Sequence, residues 1–144
     1  MTTETTKWST ALEAAHAAGV AAAEAATPPM MVVSQHTDVF NDKSPLEKEW
    51  LVPDGPCGFA WVAFKPDRGG ESRRFVNWVM KTFGATKLNG NSFSRNDYSK
   101  SWDLWVSSYR QSMVRKEAYA RAYAAVIKAA GIEGLRCYAD SRMD

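Results

Sequence analysis

The hydrophobic pattern is clearest after Gly58, where strand-like and helix-like periods alternate along the chain. Gly58–Phe64 is the most strand-like run, since it is rich in aromatic residues and ends at a Lys-Pro-Asp turn followed by two glycines. A helix is predicted over Glu71–Phe83, because its apolar residues recur on one helical face. These residues are Phe75, Val76, Val79 and Phe83. Gly84 is the expected C′ residue that ends this helix.

Two strand-like runs follow that helix, one at Ala85–Leu88 or somewhat later and one at Trp102–Ser107. The residues between them are turn formers, so the pattern leaves the register of this hairpin open. In the second run, Leu104 and Val106 suit the side of a sheet that helices cover.

A long helix and a short strand complete the pattern. Ser108–Gln111 fits a capping box that opens a helix to about Ala130, and Gly131 is expected to close it. Helical spacing predicts its buried face: Tyr119, Ala122, Tyr123, Val126, Ile127 and Ala130. Leu135–Ala139 alternates as a strand does, with Leu135, Cys137 and Ala139 on one face.

The order from Phe59 onward is strand, helix, strand, strand, helix, strand, which is the split βαβ arrangement of ferredoxin-like folds. The predicted class is therefore α+β, with a four-stranded antiparallel sheet and two helices on one face. The first and third strands are expected to be central. The other face is open unless the N-terminal segment, a second protomer or a ligand covers it. Many unrelated proteins share this layout, so the fold leaves the function open.

The first 29 residues predict an Ala-rich helical appendage. Residues 1–9 are polar and Thr-rich, which is typical of a frayed terminus. Thr10–Glu13 fits a capping box that starts a helix, and two prolines stop it after about Ala26. Because Ala buries little area, three alternatives stay open: docking through small residues, oligomerisation, or partial helix formation.

Residues 30–57 predict an acidic, irregular lead-in to an α+β domain formed by residues 58–144. Met30–Val33 fits either a short strand or a packed coil. The remainder reads as a long loop, with one helical turn at Pro45–Trp50. Ordered loops of this length inside a domain are often functional.

The composition fits a single domain with a hydrophobic core, since the chain has 144 residues and is 45% hydrophobic. Charge is divided unevenly. Residues 58–144 carry fifteen Lys and Arg against eight acidic residues, whereas residues 1–57 carry three against eight. The basic half is either a solvated surface or a sign of an anionic partner, such as nucleic acid, a nucleotide or an acidic protein face.

Residues that commonly carry catalysis are few. Cys57 and Cys137 lack the spacing of a zinc site, and they fit free thiols in a reducing compartment better than a disulfide. His16 and His36 both precede the domain, and no nucleophile elbow or deaminase spacing occurs. We therefore expect a non-enzymatic protein with no metal and no cofactor. No apolar run or leader pattern predicts membrane insertion or secretion, which favours the cytoplasm.

The helix-free face of the predicted sheet is the first candidate binding surface. Alternation places on it Asp103, Trp105 and Ser107 of the third strand, Tyr109 near its edge, and Arg136 and Tyr138 of the fourth. The first strand presents either Phe59, Trp61 and Ala63 or Ala60, Val62 and Phe64. Aromatic rings with an arginine suit base stacking, and they equally suit packing against the N-terminal segment or a second protomer.

Two basic clusters are the second candidate. The loop Lys65–Gly70, with Arg73 and Arg74 at a helix start, suits an anion, although it lacks the Gly-Lys-Ser/Thr of a Walker A loop. The second cluster lies at the start of the long helix and consists of Arg110, Arg115 and Lys116. The alternative for both is a solvated face, and the sequence leaves open whether the two clusters converge.

Gly58–Phe64 resembles the core of the RNP1 motif of RNA-recognition motifs, whose aromatic residues stack on bases. It departs from that motif in three ways. Cys57 stands where the motif has Lys or Arg, Trp61 replaces the usual Phe, and the run is the first of six elements rather than the third strand. We therefore interpret the run as the central first strand of the sheet.

Val52–Val62, Tyr109–Ala118 and Ser141–Asp144 resemble stretches of a family of small uncharacterised proteins encoded by tailed bacteriophages. The resemblance covers residues from about 30 to 144 and leaves the Ala-rich helix outside. It implies a viral accessory protein that acts in the host cytoplasm by binding rather than by catalysis.

Three functions follow as hypotheses. The first is a phage accessory protein that binds a host or phage protein, for example to inhibit host defence, with homo-oligomerisation open and no membrane partner. The second is a single-stranded nucleic-acid or nucleotide binder that uses Trp105, Arg136, Tyr138 and the basic clusters. The third is a minor structural or assembly protein of the virion.

Overall fold

Three helices and six strands make up the described part of the chain. The structure is a computed structural model that describes residues 2–28, 31–36, 46–52, 55–84 and 87–144, with 31–36 and 46–52 described by their backbone. In chain order the elements are α1 (Thr3–Ala25), β1 (Met31–His36), β2 (Leu46–Val52), β3 (Gly58–Lys65), α2 (Gly70–Phe83), β4 (Ser92–Asn96), β5 (Ser101–Trp105), α3 (Met113–Ala129) and β6 (Arg136–Met143).

Four of the strands form one antiparallel sheet in the spatial order β4-β5-β3-β6. β3 and β5 are therefore the central strands, while β4 and β6 form the edges. The elements from Gly58 onward follow the predicted sequence of strand, helix, strand, strand, helix and strand. The predicted α+β class and its four-stranded antiparallel sheet are confirmed.

The alternation of β3 separates the two faces of this sheet. Ala60, Val62 and Phe64 are fully buried under the helices. The Phe64 ring lies 6.2 Å from the ring of Phe75 on α2 and 6.4 Å from that of Tyr123 on α3. Both helices thus cover the same face, and the other residues of the strand point to the opposite face.

The end of α2 differs from the prediction in one residue. Phe75, Val76 and Val79 are buried as expected, and Phe83 is half-buried. Gly84 has a right-handed conformation (φ −58°), and its amide donates to the Met80 carbonyl at 2.8 Å. The expected reversal at a left-handed C′ residue is therefore wrong, because Gly84 continues the helical hydrogen bonding.

The start of α3 also corrects the prediction. Ser112 is the N-cap, and its hydroxyl accepts a hydrogen bond from the Arg115 amide at 3.4 Å. The capping box expected at Ser108 does not form, because Tyr109 (φ 70°) and Arg110 (φ 51°) adopt left-handed conformations that a helix start excludes. At the other end, Gly131 (φ 68°) follows the C-cap as predicted.

The buried face of α3 is shifted from the predicted one. Tyr119, Tyr123 and Ile127 are buried as expected, whereas Ala122, Val126 and Ala130 are half-buried. The helix buries three further residues, Lys116, Ala120 and Ala124. The reason is that α3 packs against the sheet on one side and against α1 on another, which the single-face prediction did not include.

α1 begins earlier than the sequence predicted. Thr2 is the N-cap, and its hydroxyl accepts from the Thr5 amide at 3.1 Å. Residues 3–9 are therefore helical rather than frayed, and the capping box at Thr10 is wrong. Trp8 accounts for this, because it is buried against Phe75 and Trp78 of α2 and fixes the first turns of the helix.

α1 docks on α3 through small residues, which selects one of the three alternatives left open by the sequence. Every fourth residue on its buried face is Ala or Gly: Ala11, Ala15, Gly19 and Ala23. A Cβ on Gly19 would lie 2.6 Å from Cδ2 of Tyr119. Since Trp8 and Leu12 also belong to the main hydrophobic core, the helix is packed into the domain rather than appended to it.

Glu71 joins α1 to α2 and to the loop before β6. Its carboxylate accepts from Lys7 Nζ at 2.8 Å, from Trp8 Nε1 at 3.0 Å and from the Glu133 amide at 3.1 Å. Burial alone would raise the pKa of Glu71, but these hydrogen bonds outweigh burial and lower the pKa to about 2.

β1 and β2 pair as an antiparallel ladder in which Val32 lies opposite Leu51 and Val33 opposite Trp50. The expected helical turn at Pro45–Trp50 is therefore wrong for residues 46–50, which are strand. Two facing runs of β-branched, aromatic and other apolar residues favour cross-strand pairing over a loop. The part of the predicted loop at residues 37–45 lies outside the described residues.

The remaining strands differ from the prediction in their bounds. β4 begins at Ser92, later than the run expected at 85–88, of which residues 85 and 86 lie outside the described residues. β5 ends at Trp105 rather than at Ser107. β6 begins at Arg136 rather than at Leu135 and extends to Met143, because the eight residues of β3 provide it with a full-length partner.

Two further findings concern the chain as a whole. No helix among the described residues is long and apolar enough to cross a membrane. Cys57 is an exposed free thiol and Cys137 a buried one, and burial raises the pKa of Cys137 to about 12.

Gly19→Ala is expected to lower the free energy of unfolding by about 1–3 kcal/mol through overpacking. In an unconstrained helix the same change stabilises by about 1 kcal/mol. The sign of the change in unfolding free energy therefore shows whether Gly19 is closely packed. Tyr119 cannot easily yield, because its hydroxyl accepts from Asn91 Nδ2 at 3.0 Å and lies 2.7 Å from His16 Nδ1. Urea unfolding followed by circular dichroism measures the effect.

The matched control for that variant is Ala17→Gly at an exposed position of α1. It should lose only the propensity difference of about 1 kcal/mol. A Gly19→Ala protein that is more stable than the wild type would contradict the close approach of α1 and α3.

Glu71→Gln is expected to remove a pH-dependent contribution to stability. Because the folded-state pKa is about 2 against an ordinary value of 4.5, the carboxylate stabilises the fold above about pH 4.5. That contribution is lost as the pH falls from 4.5 towards 2. Solvent screens the exposed Lys7, so we expect only about 1–2 kcal/mol at neutral pH.

Urea unfolding between pH 7 and pH 2 tests the expectation for Glu71. The wild type and Glu71→Gln should differ at neutral pH and converge near pH 2. Glu13→Gln, at an exposed position of α1, is the control and should track the wild type throughout. A difference for Glu71→Gln that stays constant with pH would show that the ionised carboxylate is not the cause.

Candidate functional site

The sheet register identifies the residues of the helix-free face, which we call the open face. On β3 they are Phe59, Trp61, Ala63 and Lys65, and their partners on β6 are Arg142, Asp140, Tyr138 and Arg136. On β5, Trp105 lies opposite Trp61, and Asp103 lies opposite Ala63. Of the two alternatives for the first strand, the structure therefore presents the set that contains Phe59 and Trp61.

Three aromatic rings form a cluster at the centre of the open face. Trp61 and Trp105 are stacked with ring centroids 5.2 Å apart and planes 5° apart. Phe59 lies 5.5 Å from Trp105. All three side chains are half-buried. Together with Tyr138 further along β6, they form a row of rings along the sheet, which we call the aromatic row.

Cations lie against both ends of the aromatic row. Lys116 Nζ and the Arg142 guanidinium are each 5.4 Å from the centre of the Phe59 ring. At the other end, Lys65 Nζ is 5.6 Å from the centre of the Tyr138 ring. These distances are within the range of cation–π attraction.

The end of the open face near Lys65 continues into a concave site, which we call the cationic cleft. It has a volume of about 410 Å³. Its lining residues are Lys65, Pro66, Arg73, Arg95, Ser99, Lys100 and Arg136. Five of these are cations, and none is a carboxylate. They come from the end of β3, the second turn of α2, the β4–β5 hairpin and the start of β6.

The cations of the cleft are largely without counter-charges. Arg95 Nε lies 3.4 Å from a carboxylate oxygen of Asp97, whose side chain is 95% exposed. The other four form no ion pair with any residue that the structure describes. Lys65 and Arg136 are directly opposite each other in the β3–β6 register. Like charges at directly opposite positions destabilise a sheet.

Two arginines of the cleft are held by one edge of their guanidinium groups. Arg73 Nε donates to the Asp67 carbonyl at 3.2 Å, and Arg95 Nε is paired with Asp97. The Arg95 guanidinium also lies 5.6 Å from the centre of the Trp102 ring. In both residues the Nη groups have no hydrogen-bond partner among the described residues, so this edge of each guanidinium can bind phosphate or carboxylate in a bidentate manner.

The structure brings some of the predicted site residues together. Arg73 and Arg136 meet in the cationic cleft, Tyr138 lies beside it, and Trp105 lies in the aromatic row. Arg74 instead forms a bidentate pair with Glu4 at 2.9 and 3.1 Å, which fastens α1 to α2.

The remaining predicted residues lie elsewhere. Tyr109 is not on the open face, since its ring packs 6.1 Å from that of Tyr119 on the helix side. Arg110 is exposed. Arg115 Nη1 donates to the Ala23 carbonyl at 2.8 Å and so caps the C-terminal end of α1, while buried Lys116 donates to the Gly58 carbonyl at 3.3 Å.

The two basic clusters do not converge. Lys116 contacts the first residue of β3, whereas Lys65 is its last residue. The seven intervening steps correspond to roughly 23 Å at about 3.3 Å per residue. The two basic clusters therefore lie near opposite ends of β3.

Sequence reasoning missed two cations of the cleft, Arg95 and Lys100. They flank the β4–β5 turn. The register pairs Arg95 with Trp102, which lies opposite Phe64, so Arg95 reaches the cleft from the helix side of the sheet, whereas Lys100 reaches it from the turn. The available signal was a basic residue on each side of an Asn-Asp turn, but the uncertain register concealed that they share an end of the sheet.

Nothing in the described residues points to a metal centre, because they contain no group of three or more potential ligands from His, Cys, Asp and Glu. The buried carboxylate of Asp103 accepts from Ser101 Oγ at 2.7 Å and Asn96 Nδ2 at 3.0 Å, which ties β5 to the hairpin.

Comparison with protein-family models, curated proteins and solved structures finds no match to the chain.

Arg136→Gln is expected to raise the free energy of unfolding by about 0.2–1 kcal/mol at low salt, because it removes a like-charge pair across β3 and β6. The gain should fade in 1 M salt, where charges are screened beyond about 3 Å. Urea unfolding at the two salt concentrations measures both effects.

Arg121→Gln is the matched control for this variant, because it replaces an exposed arginine that pairs with Glu117 at 3.0 Å. Loss of that pair should lower stability by about 0.3–0.5 kcal/mol, which is opposite in sign. If Arg136→Gln also destabilised the protein at low salt, Arg136 would have a stabilising partner. Repulsion between Arg136 and Lys65 would then not govern the stability of this part of the sheet.

Proposed function

We propose that the chain is a single-stranded nucleic-acid-binding module that uses the open face and the cationic cleft together. The observation that carries the proposal is the position of the cleft at the end of the aromatic row. Rings on which bases stack and cations that follow the phosphate backbone are the two components of sequence-tolerant single-strand binding.

The aromatic rings and the cations each contribute to the proposed site in their own way. Tyr138 is half-buried, and Lys65 occupies one side of its ring. Tyr138 also lines a hollow with Arg121 and Lys128 of α3. Arg136 of the cleft is two residues from Tyr138 on the same face of β6, so a base stacked on Tyr138 would bring its own phosphate close to Arg136. A bound phosphate would supply the negative charge that the cleft lacks. It would thereby also reduce the repulsion between Lys65 and Arg136.

We further propose that residues 58–144 adopt a ferredoxin-like fold. Support comes from the order of the six elements, from the central position of β3 and β5, and from two helices on one face. In such a layout the helix-free face is the natural binding surface, although the layout by itself does not assign a ligand.

The other hypotheses stay predictions. An accessory protein that binds a host or phage protein in the host cytoplasm, and a minor virion component, rest on the sequence resemblance and on no contact described above. A pull-down from host lysate with and without nuclease separates them from the proposal. Capture that survives nuclease favours a protein partner, and capture that is lost on nuclease treatment favours nucleic acid.

Fluorescence anisotropy with a labelled 12-nucleotide single strand tests the proposed function. Binding is expected at low salt and should weaken as salt rises. Arg136→Gln should weaken it and reduce the salt slope by about 0.7, the value for one lost phosphate contact on a single strand. Tyr138→Ala should weaken it by about 1–3 kcal/mol if a base stacks there.

The controls for this measurement are a duplex of the same sequence and the variant Lys81→Gln, which replaces an exposed cation of α2. The duplex should bind less tightly, because its bases are paired and cannot stack on the protein. Lys81→Gln should bind as the wild type does. Absence of binding at low salt would refute the proposal, and equal affinity for duplex and single strand would reduce it to unspecific charge attraction.

A further inference from the structure

We propose that the cationic cleft receives a terminal phosphate group, a phosphomonoester dianion at the end of a strand or on a free mononucleotide. The inference rests on the proposed nucleic-acid function and specifies what one end of the binding surface recognises. Its basis is the convergence of five cations, with no carboxylate in the lining, where the sheet ends.

The position of the cleft suits an end of a ligand. β3 finishes at Lys65, and β6 begins at Arg136, so the row of sheet side chains stops at this pair. Beyond it, the cleft is bounded by Pro66 and by the hairpin residues Ser99 and Lys100. A strand that stacks along the aromatic row therefore reaches the cleft where the sheet ends.

The charge of the cleft also suits a terminal phosphate better than an internal one. An internal phosphodiester carries one negative charge, whereas a phosphomonoester carries about 1.5 to 2 at pH 7. Four cleft cations have no ion-pair partner among the described residues, and Arg95 is paired at 3.4 Å with an almost fully exposed Asp97. A dianion compensates more of this charge in one step.

The arginines are arranged for a group with several free oxygens. Arg73 and Arg95 are each fixed through Nε, which leaves both of their Nη groups for a ligand. A phosphomonoester offers three terminal oxygens, one more than a phosphodiester offers, so it can satisfy two arginine forks at once. Because the Arg73 guanidinium is already held by the Asp67 carbonyl, less conformational entropy is lost when it binds a ligand.

Competition among three unlabelled oligonucleotides of one sequence tests the inference: one phosphorylated at the 5′ end, one at the 3′ end, and one with hydroxyl groups at both ends. Each competes with a labelled single strand for the full-length protein. We expect one phosphorylated end to compete about tenfold more strongly than the hydroxyl-ended strand. Lys100→Gln and Arg136→Gln should reduce that advantage below twofold, and Lys81→Gln, at an exposed position of α2, should preserve it.

A second measurement locates the group without relying on oligonucleotide binding. Inorganic phosphate and a mononucleotide are titrated into the labelled protein at constant ionic strength against chloride, and amide chemical shifts are recorded. We expect the largest shifts at Arg73, Ser99 and Lys100. The exposed hairpin position of Lys100 makes Lys100→Gln a folded variant for this experiment even if Arg136→Gln is perturbed.

The outcomes separate the two proposals. Equal competition by phosphorylated and hydroxyl-ended strands overturns the terminal-phosphate inference and leaves single-strand binding intact. Failure of every oligonucleotide to bind, with shifts at the cleft on adding phosphate or mononucleotide, refutes the proposed function and supports the phosphate site. Absence of both binding and shifts refutes both.

Discussion

β3 is hydrogen-bonded to a neighbour on each side, so its alternation determines the face of every residue across three strands. Because Ala60, Val62 and Phe64 fill the space under the helices, Phe59 and Trp61 must point the other way. A slip of one residue would move an indole into the core and expose Phe64, which makes the register strongly specified. The aromatic row is therefore a consequence of how the core is packed.

The same core explains why α1 is part of the domain. A helix rich in alanine buries too little area to stay docked by side-chain bulk, but it allows its axis to come close to a neighbour. Gly19 sits against the ring of Tyr119, and Arg115 caps the last carbonyls of α1 from α3. Trp8 and Glu71 then anchor the other end. Small residues provide the fit, and a few large or polar ones fix its position.

The order of elements and the two faces of the sheet were predictable, because period-2 and period-3.6 patterns act within single elements. Contacts between elements were not. The true starts of α1 and α3 depend on Trp8 packing against α2 and on the left-handed turn at Tyr109, neither of which a capping pattern contains. The hairpin register had the same limitation, and it decided where β4 lies.

The residues of the candidate site also fall into two groups: those that a single strand's pattern predicts and those that depend on contacts between elements. Trp105, Arg136 and Tyr138 could be assigned to the open face from alternation within their own strands. Arg95 and Lys100 joined the cleft only through the register of β4 with β5. Arg74 looked equally available in the sequence, but it is used by Glu4, a residue seventy positions away. Whether a surface cation is free is a tertiary property, which no local pattern encodes.

The cations at the two ends of β3 differ in what they already bind, and this gives the open face a direction. Near Gly58, Lys116 is only 5% exposed and is used by a backbone carbonyl and the Phe59 ring. Arg115 is used by α1. Near Lys65, by contrast, the positive charges converge on one cleft, and the opposed pair Lys65 and Arg136 is expected to lower stability. On the function we propose, these charges serve a ligand, and the ligand's most negative group belongs at that end.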